Sequence, residues 1–150
     1  MNAGSGFRIN VDPLTMTRSA AGQIAGRICV QVGDVAFPDS QWSDSVVVVL
    51  LWWLAALEEL SSCRADSVQL QFMDGPFALD LRRGSPTGIN VTGVQVGALK
   101  PKRLTSSLSV YATELRASVY GAAISIVTEC SRRGWSNRDV TELATRCRSP

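Results

Sequence analysis

The sequence predicts an α+β fold, an antiparallel sheet of about five strands with helices packed on one face. Three observations carry that prediction. Short runs of alternating apolar and polar residues follow one another along the chain, the pattern of neighbouring half-buried strands. Two of these runs flank Asp74-Gly75, a pair suited to a tight hairpin turn. Longer stretches with apolar residues three and four apart are set apart from the strands, as in α+β rather than alternating α/β chains.

In chain order, Phe7, Ile9 and Val11 alternate with Arg8 and Asn10, so a strand is expected over 7–11, ended by Pro13 and followed by a loop over 14–21. Over 23–35, Ile24, Ile28, Val30 and Val32 share one face, and Ala25, Arg27, Cys29 and Gln31 the other. Gly33-Asp34 and Pro38-Asp39 then break the chain. Ser43 or Asp44 can cap a helix running to about Ser61, because a short oxygen side chain accepts the unpaired amide protons of a first turn. Val46 to Leu57 is apolar nearly all round, which implies burial on most faces. Four consecutive valines favour strand locally, but Trp52 to Leu60 and the length of the run favour helix.

The clearest local signal covers 67–83, where Val68, Leu70 and Phe72, then Phe77, Leu79 and Leu81, alternate with mostly polar residues on either side of Asp74-Gly75. Both turn residues tolerate positive φ, which a tight turn requires. A third strand is expected over 88–96. Ile89 and Val91 are out of phase with Val94 and Val96, which suggests a bulge at Gly93. Lys100, Lys102 and Arg103 read as a basic loop around Pro101. Leu108, Tyr111, Leu115, Val119, Ala122, Ile126 and Cys130 predict a long amphipathic helix over 106–132, ended by Gly134. Ser136 and Asp139 form a shortened capping box before a last helix carrying Val140, Leu143, Ala144 and Cys147.

At 150 residues and 16.1 kDa the chain is read as one globular domain over 1–150. Such a domain buries roughly 70% of its unfolded surface. With 45% hydrophobic and 19% charged residues, the composition excludes disordered, collagen-like and coiled-coil classes. There is no histidine, so the commonest general base and metal ligand is missing, and Ser-His-Asp and Cys-His catalysis are excluded. The only lysines, Lys100 and Lys102, flank Pro101 in a loop, a poor setting for a buried catalytic amine. Gly84-Ser85-Pro86-Thr87-Gly88 opens no helix and reads as a hairpin loop rather than a phosphate cradle. Glu58 and Glu59 are adjacent on a helix and point apart, a poor acid/base pair. Cys29, Cys63, Cys130 and Cys147 include no C-x-x-C pair, which argues against zinc. Cys130 and Cys147 lie on consecutive helices and could meet. No catalytic residue, cofactor site or metal site is therefore named, and the chain is not expected to be an enzyme.

Met1 to Gly6 shows no basic start followed by an apolar stretch, so no signal peptide is expected. The Val46–Leu57 run falls short of the roughly 20 residues a membrane span needs, so no membrane association and a cytoplasmic location are expected. Charge is uneven within the net +2. Residues 1–75 hold four basic and eight acidic residues, and 76–150 hold eleven and five. Arg82-Arg83, Lys100, Lys102, Arg103 and Arg132-Arg133 could form a phosphate-binding stripe, but no aromatic is interleaved for base stacking, which argues against nucleic acid. The sheet face away from the helices would be polar, with Arg8, Asn10, Arg27, Gln31, Gln69, Gln71, Met73, Asp80, Arg82, Asn90 and Thr92, and could receive a partner. Of Trp52 and Trp53, about 100° apart on one helix, only one is expected to face the sheet. Trp42 stands in a more exposed setting.

Phe37-Pro38-Asp39-Ser40-Gln41-Trp42-Ser43-Asp44 leads into a Val- and Trp-rich helix ending in Glu58-Glu59, and then a strand closes on Phe72-Met73-Asp74-Gly75-Pro76. Over about residues 37–82 this resembles small bacterial proteins encoded beside toxins, the immunity proteins of polymorphic-toxin and contact-dependent growth inhibition systems. The resemblance implies a protein that binds a cognate toxin domain and covers or distorts its active site. It carries no catalytic residues. The toxin could be a nuclease; such toxins are usually basic, which would favour the acidic Asp34, Asp39, Asp44, Glu58, Glu59 and Asp74 as contacts, with Trp42. The net positive charge favours instead the basic region of Arg82, Arg83, Lys102 and Arg103. A secretion chaperone or adaptor, with an apolar groove or a dimer, is the alternative role, followed by a histidine-independent enzyme. The sequence leaves homo-oligomerisation open.

Overall fold

The computed structural model describes residues 6–85, 87–97 and 99–148. Met1 to Ser5, read above for a leader, and Pro86 of the glycine loop lie outside the described residues. The first sheet consists of β1 (Phe7–Arg18), β2 (Ile24–Val32), β3 (Val35–Phe37) and β4 (Ser43–Asp44), with β1, β3 and β4 all paired to β2. Helix α1 (Val46–Ser61) follows. The second sheet runs β5 (Ser67–Gln71), β6 (Phe77–Arg83), β7 (Gly88–Gln95) and β8 (Lys102–Arg103), with β9 (Leu108–Tyr111) also on β7. Helices α2 (Ala112–Arg132) and α3 (Arg138–Arg148) complete the domain. Every ladder is antiparallel. The α+β class holds, with the strands divided between two sheets. The polar face read as one is correspondingly divided. Arg8, Asn10, Arg27 and Gln31 belong to the first sheet, and Gln69, Gln71, Asp80, Arg82, Asn90 and Thr92 to the second.

Helix α1 packs against β2, β5, α2 and α3. Those contacts explain why a helix so rich in valine is apolar around most of its circumference, since burial outweighs the rotamer cost of β-branching. Val46, Leu50 and Trp53 are fully buried, whereas Trp52 is 43% exposed, so one tryptophan of the pair faces inward as expected. The indole Nε1 of Trp53 donates to the Gln71 carbonyl at 2.8 Å and ties the helix to the end of β5. At the other end of α1, Cys63 takes a left-handed conformation with φ 62°, and the Arg83 guanidinium donates to the Leu60 carbonyl.

Several elements differ from their sequence pattern for physical reasons. Strand β1 passes Pro13 and continues to Arg18, with a register break between Asp12 and Thr17. Arg133, at the end of α2, occupies carbonyls that the register break leaves off the ladder: its Nη1 donates to the Met16 carbonyl at 2.7 Å and its Nη2 to the Pro13 carbonyl at 3.1 Å. The same guanidinium lies 4.7 Å from the Trp135 ring centre and bonds Glu129. Strand β7 keeps one register with β6 throughout, without the bulge expected at Gly93. A Cβ there would lie 2.8 Å from Thr105 Cγ2 and 2.9 Å from Phe37 Cδ1, so Gly93 answers a close approach of neighbours. The segment expected to open the long helix forms β9 instead, and α2 begins at Ala112. Asn137, rather than Ser136, caps α3: its Oδ1 accepts the Val140 amide at 2.8 Å. The basic loop at 102–103 pairs with β7 as β8. All four cysteines are unbridged, including Cys130 and Cys147.

Candidate functional site

The segments 37–44 and 72–76 meet in space. Asp44 is wholly buried, and its carboxylate accepts four N–H groups: Ser45 N at 2.7 Å on Oδ1, and Trp42 Nε1 at 2.9 Å, Met73 N at 3.0 Å and Asp74 N at 3.3 Å on Oδ2. A carboxylate just before α1 is also favoured by the partial positive charge of the helix start. Trp42 packs edge-on against Phe72 and Phe77, with ring centres 6.2 and 5.4 Å apart, and Phe37 and Trp53 join the same cluster. Gly75 does not adopt the left-handed conformation expected of a tight turn, and the β5–β6 connection spans 72–76. Its missing side chain makes room for Trp42, whose Cη2 would stand 2.7 Å from a Cβ at position 75.

This clamp corrects one contact assignment. Asp44 is inaccessible, so it joins elements of the fold and cannot touch a partner. Trp42 is half-buried among aromatic rings and keeps part of its surface accessible. With its lone pairs given to backbone and indole donors, Asp44 is placed to hold structure. Asp74 stays exposed beside it. Partial loss of solvent around its carboxyl, and then the Asp44 charge, push its pKa above the ordinary carboxylate value. Asp34 and Asp39 are exposed in two other connections, and the Asp39 carboxylate accepts the Gln41 amide at 2.7 Å.

The basic candidates are better gathered, with one correction. Arg82 and Arg83 are on opposite faces of β6: Arg83 turns inward to the end of α1, and Arg82 outward. A cleft of about 450 Å³ opens on the outer face of the second sheet. Its floor is Asp80, Arg82, Asn90 and Thr92, and its wall is the 100–107 segment with Lys100, Arg103 and Ser107. Arg82 Nε donates to Asp80 Oδ2 at 2.8 Å, and Arg103 Nε to the Thr105 carbonyl at 3.1 Å. The hydroxyls of Thr92 and Ser107 share a hydrogen bond of 2.6 Å across floor and wall. Thr105 anchors the wall, since its buried hydroxyl accepts the Gly93 amide at 2.8 Å. Lys102, exposed on β8, does not line the cleft. Thr105 and Ser107 had no signal in the sequence, because Thr105 stands outside every periodic run and Ser107 falls in the stretch expected to open the long helix.

The remaining basic pair, Arg132 and Arg133, is engaged by Glu129, whose carboxyl these two arginines hold down at about 2. Burial raises the thiol pKa values of Cys29, Cys130 and Cys147, which makes them poor nucleophiles. Among the described residues, no three His, Cys, Asp or Glu side chains are grouped to hold a metal ion, and no helix is long and apolar enough to cross a membrane. No protein-family model, curated protein or solved structure matches the chain.

Proposed function

We propose that this chain is a cytoplasmic immunity protein, which binds a cognate bacterial toxin domain and holds it inactive, with the outer face of the second sheet as the docking surface. The observation that carries the reading is the convergence of Arg82, Lys100 and Arg103 on one cleft, while the acidic candidates are buried or divided among separate connections. Three cations against one carboxylate favour a toxin surface that is acidic at the contact. Opposite charges speed such an encounter and select among partners. Inhibition would then come from covering or distorting the toxin's active site. The immunity protein needs no catalytic group of its own.

A chaperone for secreted proteins would need an apolar groove. The apolar cleft between α1, β7 and α2 has a volume of about 230 Å³. This is below the roughly 300 Å³ at which ligand pockets begin, and far too small for a helix. The test is capture of the toxin domain encoded immediately upstream, using the full chain as bait. An equimolar complex of nanomolar affinity, with loss of toxicity on co-expression, supports the reading. Absence of binding to that domain refutes it.

A further inference from the structure

We infer that the cleft on the second sheet receives a pair of carboxylates from an acidic loop of the bound partner, held by the guanidiniums of Arg82 and Arg103 with Lys100 beside them. The inference rests on the docking reading above and names its chemistry. Both arginines are oriented before any partner arrives. Each donates its Nε within the protein, Arg82 to Asp80 and Arg103 to the Thr105 carbonyl. That contact fixes the plane of each guanidinium and leaves its Nη edge as the fork that suits a carboxylate. Groups already held in place lose little freedom on binding. Asp80 offsets one of the three positive charges lining the cleft, so two remain to attract anionic groups.

The same geometry disfavours a nucleic acid backbone. The cleft has no aromatic lining on which a base could stack. Of the basic residues that would extend it into a stripe, Arg83 turns to the other face of β6 and Arg132 and Arg133 pair with Glu129 at the end of α2, while Lys102 is exposed on β8 without lining the cleft. The site is therefore a local, solvent-open patch with a floor and a wall, which an inserted loop can reach. Oxyanion chemistry is shared by loop carboxylates and free phosphate, and the experiment separates the two.

The full chain, labelled with nitrogen-15, is titrated at low salt with the capped peptide Ac-Gly-Asp-Glu-Asp-Gly-NH2. Parallel arms use its neutral Asn/Gln counterpart and inorganic phosphate. Saturable shifts from the acidic peptide alone are expected at the amides of Asn90, Thr92 and Ser107. Binding should weaken about tenfold or more in the Arg82→Gln/Arg103→Gln variant. Lys100→Gln, in the exposed wall, serves the same purpose should the double variant lose its fold. Unsaturable shifts, equal binding by the variants, or saturation by phosphate without the peptide would each overturn the inference. Should the upstream toxin domain bind wild type and double variant equally, the carboxylate inference falls and the immunity reading stands. Should the peptide bind in the cleft and the toxin domain not bind at all, the immunity reading falls and the carboxylate chemistry stands.

Discussion

Asp44 offers the sharpest test of how this fold is held together. In Asp44→Ala, four N–H groups lose their acceptor. Those of Met73 and Asp74 lie beside exposed residues and can turn to water, but Ser45 N and the Trp42 indole are less accessible. A buried donor left without a partner costs about 1–3 kcal/mol. Two such donors, with the space left by the side chain, give a loss of about 4 kcal/mol, a large part of the 5–15 kcal/mol typical of a domain. Asp44→Asn keeps the shape and one acceptor oxygen. If that oxygen serves the three donors on the Oδ2 side, the amide NH2 faces Ser45 N–H, and the cost is about 2 kcal/mol. Urea denaturation followed by tryptophan fluorescence measures both, with the midpoint falling and the slope unchanged. Trp42→Phe removes one of the four bonds and should cost less in the Asp44→Ala background than alone, because the two share an interaction. If both Asp44 variants lie within about 0.5 kcal/mol of wild type, the range of an ordinary surface substitution, the clamp does not join these elements and the reasoning fails.

Three further outcomes follow from the same geometry. Gly75→Ala forces a Cβ against Trp42 and Phe77 and should cost about 1–3 kcal/mol, read as a lower Tm. The Glu129 carboxyl, held at about 2 against an ordinary value near 4.5, contributes stability that is present above the ordinary value and lost as pH falls through the lower one. Glu129→Gln should remove that contribution and flatten the acid limb of the stability profile. Asp74 shifts the other way. Its raised pKa means that the charged form is disfavoured in the folded chain, so Asp74→Asn should gain stability over wild type as pH rises through the folded pKa, and match it in strong acid.

The periodic elements were legible in the sequence because alternation and helical spacing report which face of an element is apolar. The β5–β6 hairpin and most of α2 follow from that rule, whereas α1 was legible from the length and all-round apolarity of its run, and that one of Trp52 and Trp53 turns inward from their separation of about 100°. Alternation says nothing about which strand lies alongside, so the division into two sheets, with β2 and β7 as their hubs, had no local signal. Pro13 signals a strand end because it lacks an amide proton, yet β1 resumes its pairing at Thr17, and the Arg133 guanidinium that holds the Pro13 carbonyl lies 120 residues away. Gly75 and Gly93 stood out correctly as special positions, but for the wrong cause. Both accommodate a neighbour's side chain rather than an unusual backbone angle. The basic half of the candidate site was visible as charge, whereas the opposite facing of Arg82 and Arg83 became clear only from the register of β6.

The clamp and the cleft differ in what ties their residues down. Phe37, Trp42, Asp44, Phe72 and Gly75 spend their rings, donors and space on one another, so a substitution there is felt first as lost stability. Arg82, Lys100 and Arg103 are exposed, and none of them holds two elements of the core together. Surface changes of that kind usually stay within about 0.5 kcal/mol of wild-type stability. The cleft can therefore change without endangering the fold. The segments 37–44 and 72–76 thus describe how the chain folds, and on the proposed docking reading specificity is to be sought in the loop from Lys100 to Ser107 and in the strand face it overlooks.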